Sequence, residues 1–474
     1  MITRIKINGF KSLLDTELFF GPFTCIAGEN ATGKSNLFDA VRFLSNLADG
    51  TILQAAKSIR GENQKYFEIK DIFFRSGLQY MDKMSFEIDM IVPEKTEDDL
   101  GQSAEATITS LKYELELRLN EDYDNREPVE IVRESLIPIT QTEARSLLCF
   151  ERRKEWVDSI LKGRRGTNNP FISTKDGKIK LHQDGSKGRS FEFISEKMPR
   201  TLLSTVTAES PTAFLARYEM RNWVMLYLEP EVLRRPDSIF EVKNKIVPPD
   251  GYRLPATMYR LDNARKGRDI YRSLTKKAGE LTDNIDEIFV EKDEKRDMLT
   301  LHVRFKHGLV LPAHSLSDGL LRFLGLAVIR EDSGYGRLIC IEEPENGISP
   351  GKIEEMVQLL TDIATDTDSP VDDDNPLRQV IINTHSQSVV NVVWAESLYL
   401  AVEKEIFFEP FSKNVKYTSF KVVENTWKAK SDSKNIISHG EILPYFKLPA
   451  GTNRLRAKVT VAERYSQLPI PWMS

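Results

Sequence analysis

The sequence predicts an α/β fold, and three observations support that prediction. Gly28–Ser35 reads Gly-Glu-Asn-Ala-Thr-Gly-Lys-Ser, which matches the pattern of a phosphate-binding loop. From His314 onward, apolar strand patterns alternate with amphipathic helix patterns, as they do around a parallel sheet. Between Lys83 and Pro138, apolar and polar residues alternate as in an antiparallel β-meander. We therefore expect a mixed central sheet, a β-meander lobe and a helical or irregular insertion, without a long coiled coil because no heptad repeat is present.

Composition limits the classes of protein to consider. Of the 474 residues, 40% are hydrophobic and 29% are charged, which is typical of a soluble globular protein with a large core. The net charge of −5 argues against a general nucleic-acid-binding protein, so such a contact would need a local basic patch. Cys25, Cys149 and Cys340 show neither metal-ligand nor disulfide spacing, which indicates a cytoplasmic location. Neither a signal peptide nor a membrane-spanning run is visible, so no membrane contact is expected.

Residues 1–140 form the first predicted domain and place the phosphate loop (Gly28–Ser35) between a strand and a helix. The patterns of Thr3–Asn8 and Phe23–Ala27 predict strands, and the apolar spacing of Asn36–Leu47 predicts a helix. The strands of the meander follow at Lys83–Ile91, Thr107–Leu119 and Val129–Pro138, with a hairpin turn near Asn120–Arg126.

Residues 141–295 form a predicted insertion with basic helical segments. Between Glu143 and Arg200 long apolar runs are rare, and Lys and Arg are frequent. These basic residues are either a solvated charged face or a nucleic-acid contact. Helices are predicted at Thr212–Arg221 and Asp269–Phe289, a strand or a helix at Trp223–Leu228, and turns at Asp176-Gly177, Asp184-Gly185 and Pro248–Gly251.

Residues 296–397 form the third predicted domain, and residues 398–474 form a C-terminal extension. In the third domain, strand patterns and helix patterns alternate along the chain. Strands are predicted at Met298–Lys306, Arg337–Ile341 and Gln379–Asn383, and helices at Leu320–Arg330, Lys352–Ala364 and Val389–Glu396. In the extension, strands are predicted at Leu398–Val402 and Ser419–Val423.

The phosphate loop supplies the groups that a nucleotide triphosphate requires. Gly28 and Gly33 allow a tight turn, and the following helix N-terminus presents N–H groups and a positive dipole to an anion. Lys34 would reach the β- and γ-phosphates, and the Ser35 hydroxyl would bind Mg²⁺. The residues predicted to contact the nucleotide here are Gly28, Glu29, Asn30, Ala31, Thr32, Gly33, Lys34, Ser35 and Asn36.

Two carboxylates follow the apolar run Leu338–Ile341, in the segment that we call the acidic turn (Glu342–Gly347). The end of a buried strand is where nucleotide-binding folds carry their magnesium and catalytic carboxylates. Glu342 is therefore the candidate metal ligand, and Glu343 the candidate group that orients or deprotonates a water. The alternative is an ordinary acidic turn after a buried strand.

Two further stretches each have a structural and a functional interpretation. His385 follows the apolar run Val380–Ile382, where an imidazole can contact a γ-phosphate or serve only as a structural residue. Ser317, Asp318 and Gly319 begin a predicted helix, where they can bind a phosphate or simply cap the helix.

The order of these motifs resembles the ABC-type ATPases of the RecF/SMC and "overcoming lysogenization defect" group. The resemblance is carried by GENATGKSNLFDAV, LSDGLLRFLGLAV, IEEPENGISP and NTHS. It implies an ABC-type ATPase head that uses ATP and Mg²⁺. It also implies a composite site in which the phosphate loop, Glu342, Glu343 and His385 hold ATP. Ser317, Asp318 and Gly319 of a second copy would cap it, so ATP-bound dimers and larger homo-oligomers are expected.

Three positions depart from the pattern of that group. The magnesium carboxylate is usually Asp, and the extra methylene of Glu342 implies slow turnover. The His that usually follows the acidic turn is Ser349. The group's glutamine-containing loop has no clear counterpart, and Gln64 is one candidate.

The sequence favours an ATPase that acts on a separate nuclease. Between Ser386 and Ser474 the single aspartate is Asp432, whereas a two-metal nuclease needs several clustered carboxylates. The run Asp372–Asp374 lies in a Pro-bounded loop and is interpreted as solvated. This layout resembles the ATPase subunits of anti-phage systems. Septu-type systems, in which the partner is an HNH nuclease, are favoured, and PARIS-type systems, in which the partner is a Toprim-like nuclease, are the second choice. The alternative is a RecF-type repair clamp that binds duplex DNA directly through the basic insertion.

Overall fold

The chain forms two compact units in a computed structural model that describes residues 1–59, 67–98, 100–120, 128–163, 169–182, 184, 191–243, 247–264, 269–431, 435–437 and 439–442. The first unit comprises Met1–Val224, Thr367–Val371 and Glu396–Ser438. The second unit comprises Met225–Asp366, Asp372–Ala395 and His439–Ser474. Gln64 and the predicted hairpin turn near Asn120–Arg126 lie outside the described residues, except for Asn120 itself.

The helices and strands are numbered here in chain order. The strands are β1 Ile2–Asn8, β2 Thr16–Phe19, β3 Phe23–Ala27, β4 Arg75–Ser76, β5 Gln79–Tyr80, β6 Lys83–Ile91, β7 Lys95–Glu97, β8 Ser103–Glu105, β9 Ser110–Leu119, β10 Val129–Pro138, β11 Ile172–Lys175, β12 Lys178–Leu181, β13 Phe191–Ile194, β14 Trp223–Leu226, β15 Asp237–Ser238, β16 Ile285–Asp293, β17 Met298–Phe305, β18 Val310–Pro312, β19 Leu338–Glu342, β20 Gln379–Thr384, β21 Leu398–Phe408 and β22 Lys413–Val422. The helices are α1 Lys34–Leu47, α2 Ile52–Lys57, α3 Gln141–Leu147, α4 Lys154–Ile160, α5 Pro211–Arg221, α6 Pro230–Leu233, α7 Leu254–Ala264, α8 Ile270–Leu281, α9 Asp318–Glu331, α10 Ile353–Ile363, α11 Gln387–Val392, α12 Trp427–Ser431 and α13 His439–Ile442.

An antiparallel sheet of eight strands dominates the first unit, in the order β13-β12-β11-β10-β9-β6-β1-β2. The predicted meander is confirmed, because β6, β9 and β10 are neighbours that pair antiparallel. The insertion extends this sheet by β11, β12 and β13, which the sequence did not predict because each strand is only four residues long. The turn predicted at Asp176-Gly177 joins β11 to β12, and both of its residues have a positive φ, as type I′ hairpins require.

Three phenylalanines pack helix α1 against this sheet. The rings of Phe10, Phe43 and Phe86 lie with their centroids 5.6 to 5.9 Å apart, and all three side chains are buried. Burying a phenylalanine stabilises a folded chain by roughly 1.5–3 kcal/mol, so this cluster contributes substantially to the packing of α1 on the sheet. Because α1 begins at Lys34, within the phosphate loop, the cluster also fixes where that loop lies.

A hairpin of β21 and β22, the C-terminal hairpin, lies beside β3 in the first unit. β21 pairs in parallel with β3, and β22 pairs antiparallel with β21. The prediction found only the proximal halves of its strands, Leu398–Val402 and Ser419–Val423, because charged and apolar residues do not alternate regularly in the distal half of β21. In that distal half, Val415 and Phe408 pack in a hydrophobic cluster with Phe74, and cross-strand ion pairs such as Glu403–Lys416, at 2.6 Å, are added to it.

The second unit contains the parallel pair β19 and β20 with α9 and α10 packed nearby. The predicted buried strands are confirmed, and each extends by one polar residue, Glu342 or Thr384. The predicted helix Val389–Glu396 is displaced, because α11 spans Gln387–Val392 and the backbone becomes extended at Val393.

The helix predicted over Asp269–Phe289 was wrong in its second half. Helix α8 ends at Leu281, and the following residues form β16, which pairs antiparallel with β17. The register of β16 shifts between Ile285 and Glu287, so the buried Ile285 and Ile288 are three residues apart. That β-bulge gives a strand the apolar spacing of a helix, which explains the error.

The three cysteines differ in burial. Cys25 and Cys340 are buried and Cys149 is exposed, and none of the three is in a disulfide. Over the described residues, no helix has both the length and the apolarity needed to cross a bilayer.

A buried carboxylate ties β10 to a neighbouring loop in the first unit. The Glu134 side chain is fully buried and accepts hydrogen bonds from the N–H groups of Leu202 at 2.7 Å and Leu203 at 2.8 Å, and from the Tyr113 hydroxyl at 3.2 Å. Burial raises the pKa of Glu134 to about 7, although these three donors favour the ionised form.

We expect this group to make stability fall as pH rises. A carboxyl with a raised pKa in the folded chain contributes stability below its unfolded pKa of about 4.3 and loses it on rising through pH 7. Between pH 5 and pH 8, wild type should lose about 2 to 3 kcal/mol more unfolding free energy than Glu134→Gln loses. Urea unfolding of each variant at both pH values measures this difference. Any cost of the substitution that does not depend on pH cancels, because each protein is compared with itself at the two pH values. Equal losses in the two proteins would contradict the raised pKa of Glu134.

Candidate functional site

The phosphate loop lies in the first unit between β3 and α1. Every residue of β3 is buried, so the loop begins at a position fixed by the core. Ala31 and Gly33 have φ angles of 65° and 89°, so the backbone reverses sharply before the helix. The first N–H groups of α1 have no acceptor within the helix, and its dipole is positive at this end. The sequence thus builds an anion-binding turn.

The Lys34 ammonium lies inside the phosphate loop. Its Nζ donates to the carbonyl oxygens of Gly28 at 2.7 Å and Glu29 at 2.6 Å, and the side chain is buried. Ser35 and Asn36 are half-buried in the first turn of α1, whereas Glu29, Asn30 and Ala31 are exposed. The Thr32 hydroxyl donates to the Glu29 carbonyl at 2.9 Å and closes the turn. The predicted loop residues therefore surround one buried positive charge.

The C-terminal hairpin and the β1–β2 connection brace this loop. The Thr418 hydroxyl donates to the Thr32 carbonyl at 2.9 Å and lies 2.6 Å from the Ser12 hydroxyl. A Cβ on Gly33 would come within 3.0 Å of both hydroxyl oxygens, and one on Gly28 would come within 3.0 Å of the Ala401 carbonyl. These glycines are therefore required by contacts inside the chain as well as by a ligand. The sequence analysis missed Ser12, Ala401 and Thr418, because nothing in their local pattern links them to the loop.

The candidate catalytic residues come together in the second unit, where β19 and β20 end side by side. Glu342 pairs in register with Asn383, whose Nδ2 donates to Glu342 Oε1 at 3.2 Å. The Glu343 N–H donates to the Asn383 carbonyl at 3.0 Å. Glu343 has φ 46°, a left-handed conformation that is uncommon for a residue with a side chain and is concentrated at functional sites.

Both carboxylate oxygens of Glu343 are held. His385 Nδ1 lies 2.8 Å from Oε1, and Asn346 Nδ2 donates to Oε2 at 3.0 Å. An Nδ1–H tautomer of His385 donates in the first of these contacts, which leaves Nε2 to face a ligand. The candidate residues Glu343 and His385 are thus in direct contact, and Asn346 is a partner that the sequence analysis did not assign.

A third carboxylate, Glu345, lies beneath this pair. The Thr384 hydroxyl donates to its Oε1, while its Oε2 is buried without a hydrogen-bond partner among the described residues. Burial raises the pKa of Glu345. Within the acidic turn, the Glu343 carboxylate is therefore available to solvent and to a ligand, whereas the Glu345 carboxylate is suited to the interior.

Ser317, Asp318 and Gly319 begin α9 in the second unit. The Ser317 hydroxyl accepts from the Leu320 N–H at 3.4 Å, so this serine does cap the helix. Arg234 donates to Asp318 Oδ1 and to the Leu316 carbonyl. Gly319 is buried against the acidic turn, and a Cβ there would come within 3.0 Å of the Gly347 carbonyl. Its lack of a side chain is therefore explained by packing within the chain.

The chemistry of these residues fits ATP and Mg²⁺. The phosphate loop supplies a cradle with little room for a Cβ at Gly28 or Gly33, and a buried ammonium at its centre. Glu342 is exposed at the end of β19 and engages a described donor through only one oxygen. The Ser35 hydroxyl and the Glu342 carboxylate are oxygen donors of the kind that Mg²⁺ prefers.

The remaining acidic candidates form no metal cluster in the part of the chain that the structure describes. In the run Asp372–Asp374, Asp372 Oδ1 accepts from the N–H groups of Asp374 and Asn375 at 2.9 and 2.8 Å. That aspartate therefore stabilises a turn, in line with its interpretation as part of a solvated loop. Asp432 lies outside the described residues.

Two family models match the chain, one on each side of the insertion. Residues 1–192 match the "AAA ATPase domain". Residues 257–391 match "AAA domain, putative AbiEii toxin, Type IV TA system". The first match includes the phosphate loop, and the second includes Ser317–Gly319, the acidic turn and His385.

Individual proteins show more limited similarity. The DNA replication and repair protein RecF of Phocaeicola vulgatus is 36% identical over 74 residues, which is 15% of this chain and 20% of that protein. The chain thus spans about a fifth of the length of this relative.

Among solved structures, an SMC head bound to the C-winged helix domain of ScpA is 12% identical, with a TM-score of 0.46, covering 89% of this chain and 98% of the other. The SMC head domain from Thermotoga maritima is 13% identical, with a TM-score of 0.38 and coverages of 89% and 99%. The SMC head derived from Pyrococcus furiosus is 11% identical, with a TM-score of 0.44 and coverages of 91% and 99%. The phosphate loop lies between a buried strand and a helix, and both matched family models are AAA domains. The chain has the α/β fold of an ABC-type P-loop ATPase.

Proposed function

We propose that the chain binds and hydrolyses ATP and that it assembles through dimers with ATP held between two copies. The observation that carries this proposal is the Glu343 carboxylate, which a left-handed backbone and two side-chain contacts hold at the end of a buried strand. A carboxylate fixed in this way is suited to a water nucleophile, because orientation can supply much of a catalytic barrier reduction.

Each residue has a role in this proposal. The N–H groups of the phosphate loop and Lys34 bind the triphosphate, and Ser35 with Glu342 would hold Mg²⁺, which would neutralise charge on the phosphate oxygens. Glu343 orients the water and takes its proton. His385 donates from Nδ1 to Glu343, and a ring protonated on both nitrogens would also donate from Nε2 to the γ-phosphate. The extra methylene of Glu342, compared with aspartate, favours slow turnover.

The second copy completes the site in this proposal. Ser317, Asp318 and Gly319 stand at the start of α9, where a hydroxyl and helix N–H groups can meet the γ-phosphate of an ATP bound by the other chain. Ser317 and Asp318 are exposed, as such a contact requires. ATP would then join two copies, and further contacts would build a larger homo-oligomer.

We further propose that this assembly works in the cytoplasm and regulates a separate nuclease in anti-phage defence. An HNH nuclease is the favoured partner and a Toprim-like nuclease the second. One matching family model carries the description of a type IV toxin–antitoxin toxin, which is also a two-component arrangement. Co-purification with the product of a neighbouring reading frame tests the partner, and any nucleic-acid contact would come through that partner or the insertion.

A RecF-type clamp that binds duplex DNA is the second candidate, and the short RecF similarity favours it. The described basic residues argue for the first candidate, because many are neutralised. Ion pairs join Arg145 to Asp158, Arg153 to Asp368, Lys178 and Lys180 to Glu192, and Lys277 to Asp362. Tight binding of the purified chain to duplex DNA, weakening steeply with salt, would favour the clamp. Arg164, Arg165, Lys187, Arg189, Arg265, Lys266 and Arg268 lie outside the described residues.

We expect Ser317→Arg to abolish the ATP-dependent dimer without abolishing ATP binding. A bulky cation at the start of α9 would block the approach of a second chain, while the phosphate loop is untouched. Light scattering with a non-hydrolysable ATP analogue should find dimers for wild type and monomers for the variant. The affinity for the analogue should stay within about threefold, or less than 1 kcal/mol.

The control is Ser333→Arg, which lies just beyond the other end of α9 and should still dimerise. A dimer of Ser317→Arg as stable as that of wild type would reject the composite site. A wild-type chain that stays monomeric at saturating nucleotide would reject it as well.

A further inference from the structure

One face of α9 is attached to the acidic turn. Gly319 and Arg322 are three residues apart on this helix and therefore share a face. Arg322 Nη1 donates to the Asn346 carbonyl at 2.8 Å. Gly319 packs so closely on the Gly347 carbonyl that no Cβ fits between them. The turn thus has two attachments to the helix within one unit.

Asn346 connects Arg322 to Glu343. Its Nδ2 donates to Glu343 Oε2 at 3.0 Å, and its N–H donates to the Glu343 carbonyl at 3.1 Å. A second backbone bond, from the Ile348 N–H to the Glu345 carbonyl at 2.9 Å, closes the following part of the turn. The Arg322 guanidinium therefore holds the residue that orients one oxygen of the Glu343 carboxylate.

We infer that Arg322 is a positioning residue for Glu343, acting through Asn346. This inference rests on the proposed function for its effect on hydrolysis, but the attachment itself does not. Glu343 occupies a left-handed backbone conformation that is unfavourable for a residue with a side chain, so the turn needs additional contacts to hold it. Arg322 also supplies a physical link from Ser317–Gly319 to the hydrolytic carboxylate of the same chain.

The test compares Arg322→Gln with Arg322→Lys and with the control Arg330→Gln. Arg330 is on the same helix, but its Nη1 donates to Glu331, away from the turn. Steady-state ATP hydrolysis should give a kcat about tenfold lower for Arg322→Gln, with KM within twofold, because orientation of the water is lost and binding is not. Arg322→Lys should recover at least a third of the turnover, since one donor suffices for the Asn346 carbonyl. Arg330→Gln should match wild type.

A second readout does not depend on hydrolysis. The N–H groups of Glu343, Asn346 and Ile348 are hydrogen-bonded in the turn, so loosening it should speed their deuterium exchange about tenfold in Arg322→Gln and leave it unchanged in Arg330→Gln. Turnover and exchange like those of the control would overturn the inference, as would a raised KM at unchanged kcat. If exchange is faster in Arg322→Gln but wild type does not hydrolyse ATP, the positioning of Glu343 is supported and the proposed hydrolysis is overturned.

Discussion

Glu343→Gln is expected to bind ATP and hydrolyse it about 100- to 10,000-fold more slowly than wild type, the range typical for loss of a general base. The amide has the shape of the carboxylate, and its oxygen can still accept from Asn346, so the acidic turn should persist. It cannot take a proton from water at neutral pH. Single-turnover hydrolysis and equilibrium binding of ATP separate the two effects, and the Kd for ATP should change less than threefold.

The same substitution at Glu354 is the matched control, since that glutamate is exposed on α10 in the same unit. Glu354→Gln should hydrolyse ATP like wild type. The ATP-bound dimer should also accumulate in Glu343→Gln, because its nucleotide is not consumed. Wild-type turnover in Glu343→Gln would move the general base to another residue.

Lys34→Ala is expected to weaken ATP binding at least 100-fold, which corresponds to about 2.8 kcal/mol. The substitution removes the buried positive charge at the centre of the phosphate loop and leaves the Gly28 and Glu29 carbonyls without their donor. Titration calorimetry measures the affinity. When the affinity is lost, ATP should also no longer raise the melting temperature of the chain, because a ligand stabilises only the state that it binds.

Lys95→Ala controls for the general loss of a lysine, because Lys95 is exposed on β7, outside the phosphate loop. It should bind ATP with wild-type affinity. Circular dichroism should give the same secondary structure for both variants. Tight ATP binding by a folded Lys34→Ala variant would refute the assignment of the phosphate loop.

The parts of the fold that the sequence predicts well are those with a strong local pattern. The phosphate loop, β6, β10 and the buried strands β19 and β20 were found within a residue or so because period and burial agree. The errors arose where another contact overrides the pattern. A β-bulge gave β16 the spacing of a helix, and a hydrophobic cluster and cross-strand ion pairs continue the C-terminal hairpin past its regularly alternating part.

The residues of the candidate site likewise fall into those that a local sequence pattern reveals and those that it does not. Glu342, Glu343 and His385 could be singled out because each follows a buried strand, which is a local property. The residues that hold them could not. Asn383, Asn346 and Arg322 lie within the quoted motifs, but spacing along the chain does not show which side chains meet after folding. Ser12 and Thr418 are likewise invisible to spacing, although they contact each other and Thr418 contacts the phosphate loop.

The bracing of the phosphate loop by the C-terminal hairpin has a consequence for the order of events on the ribosome. The motif that binds ATP is synthesised early, but Ala401 and Thr418, against which Gly28 and Gly33 are packed, are made much later. A nascent chain therefore carries every nucleotide motif before the hairpin can brace the phosphate loop. A product that terminates ahead of the hairpin would lack the contacts of Ala401 and Thr418 with that loop.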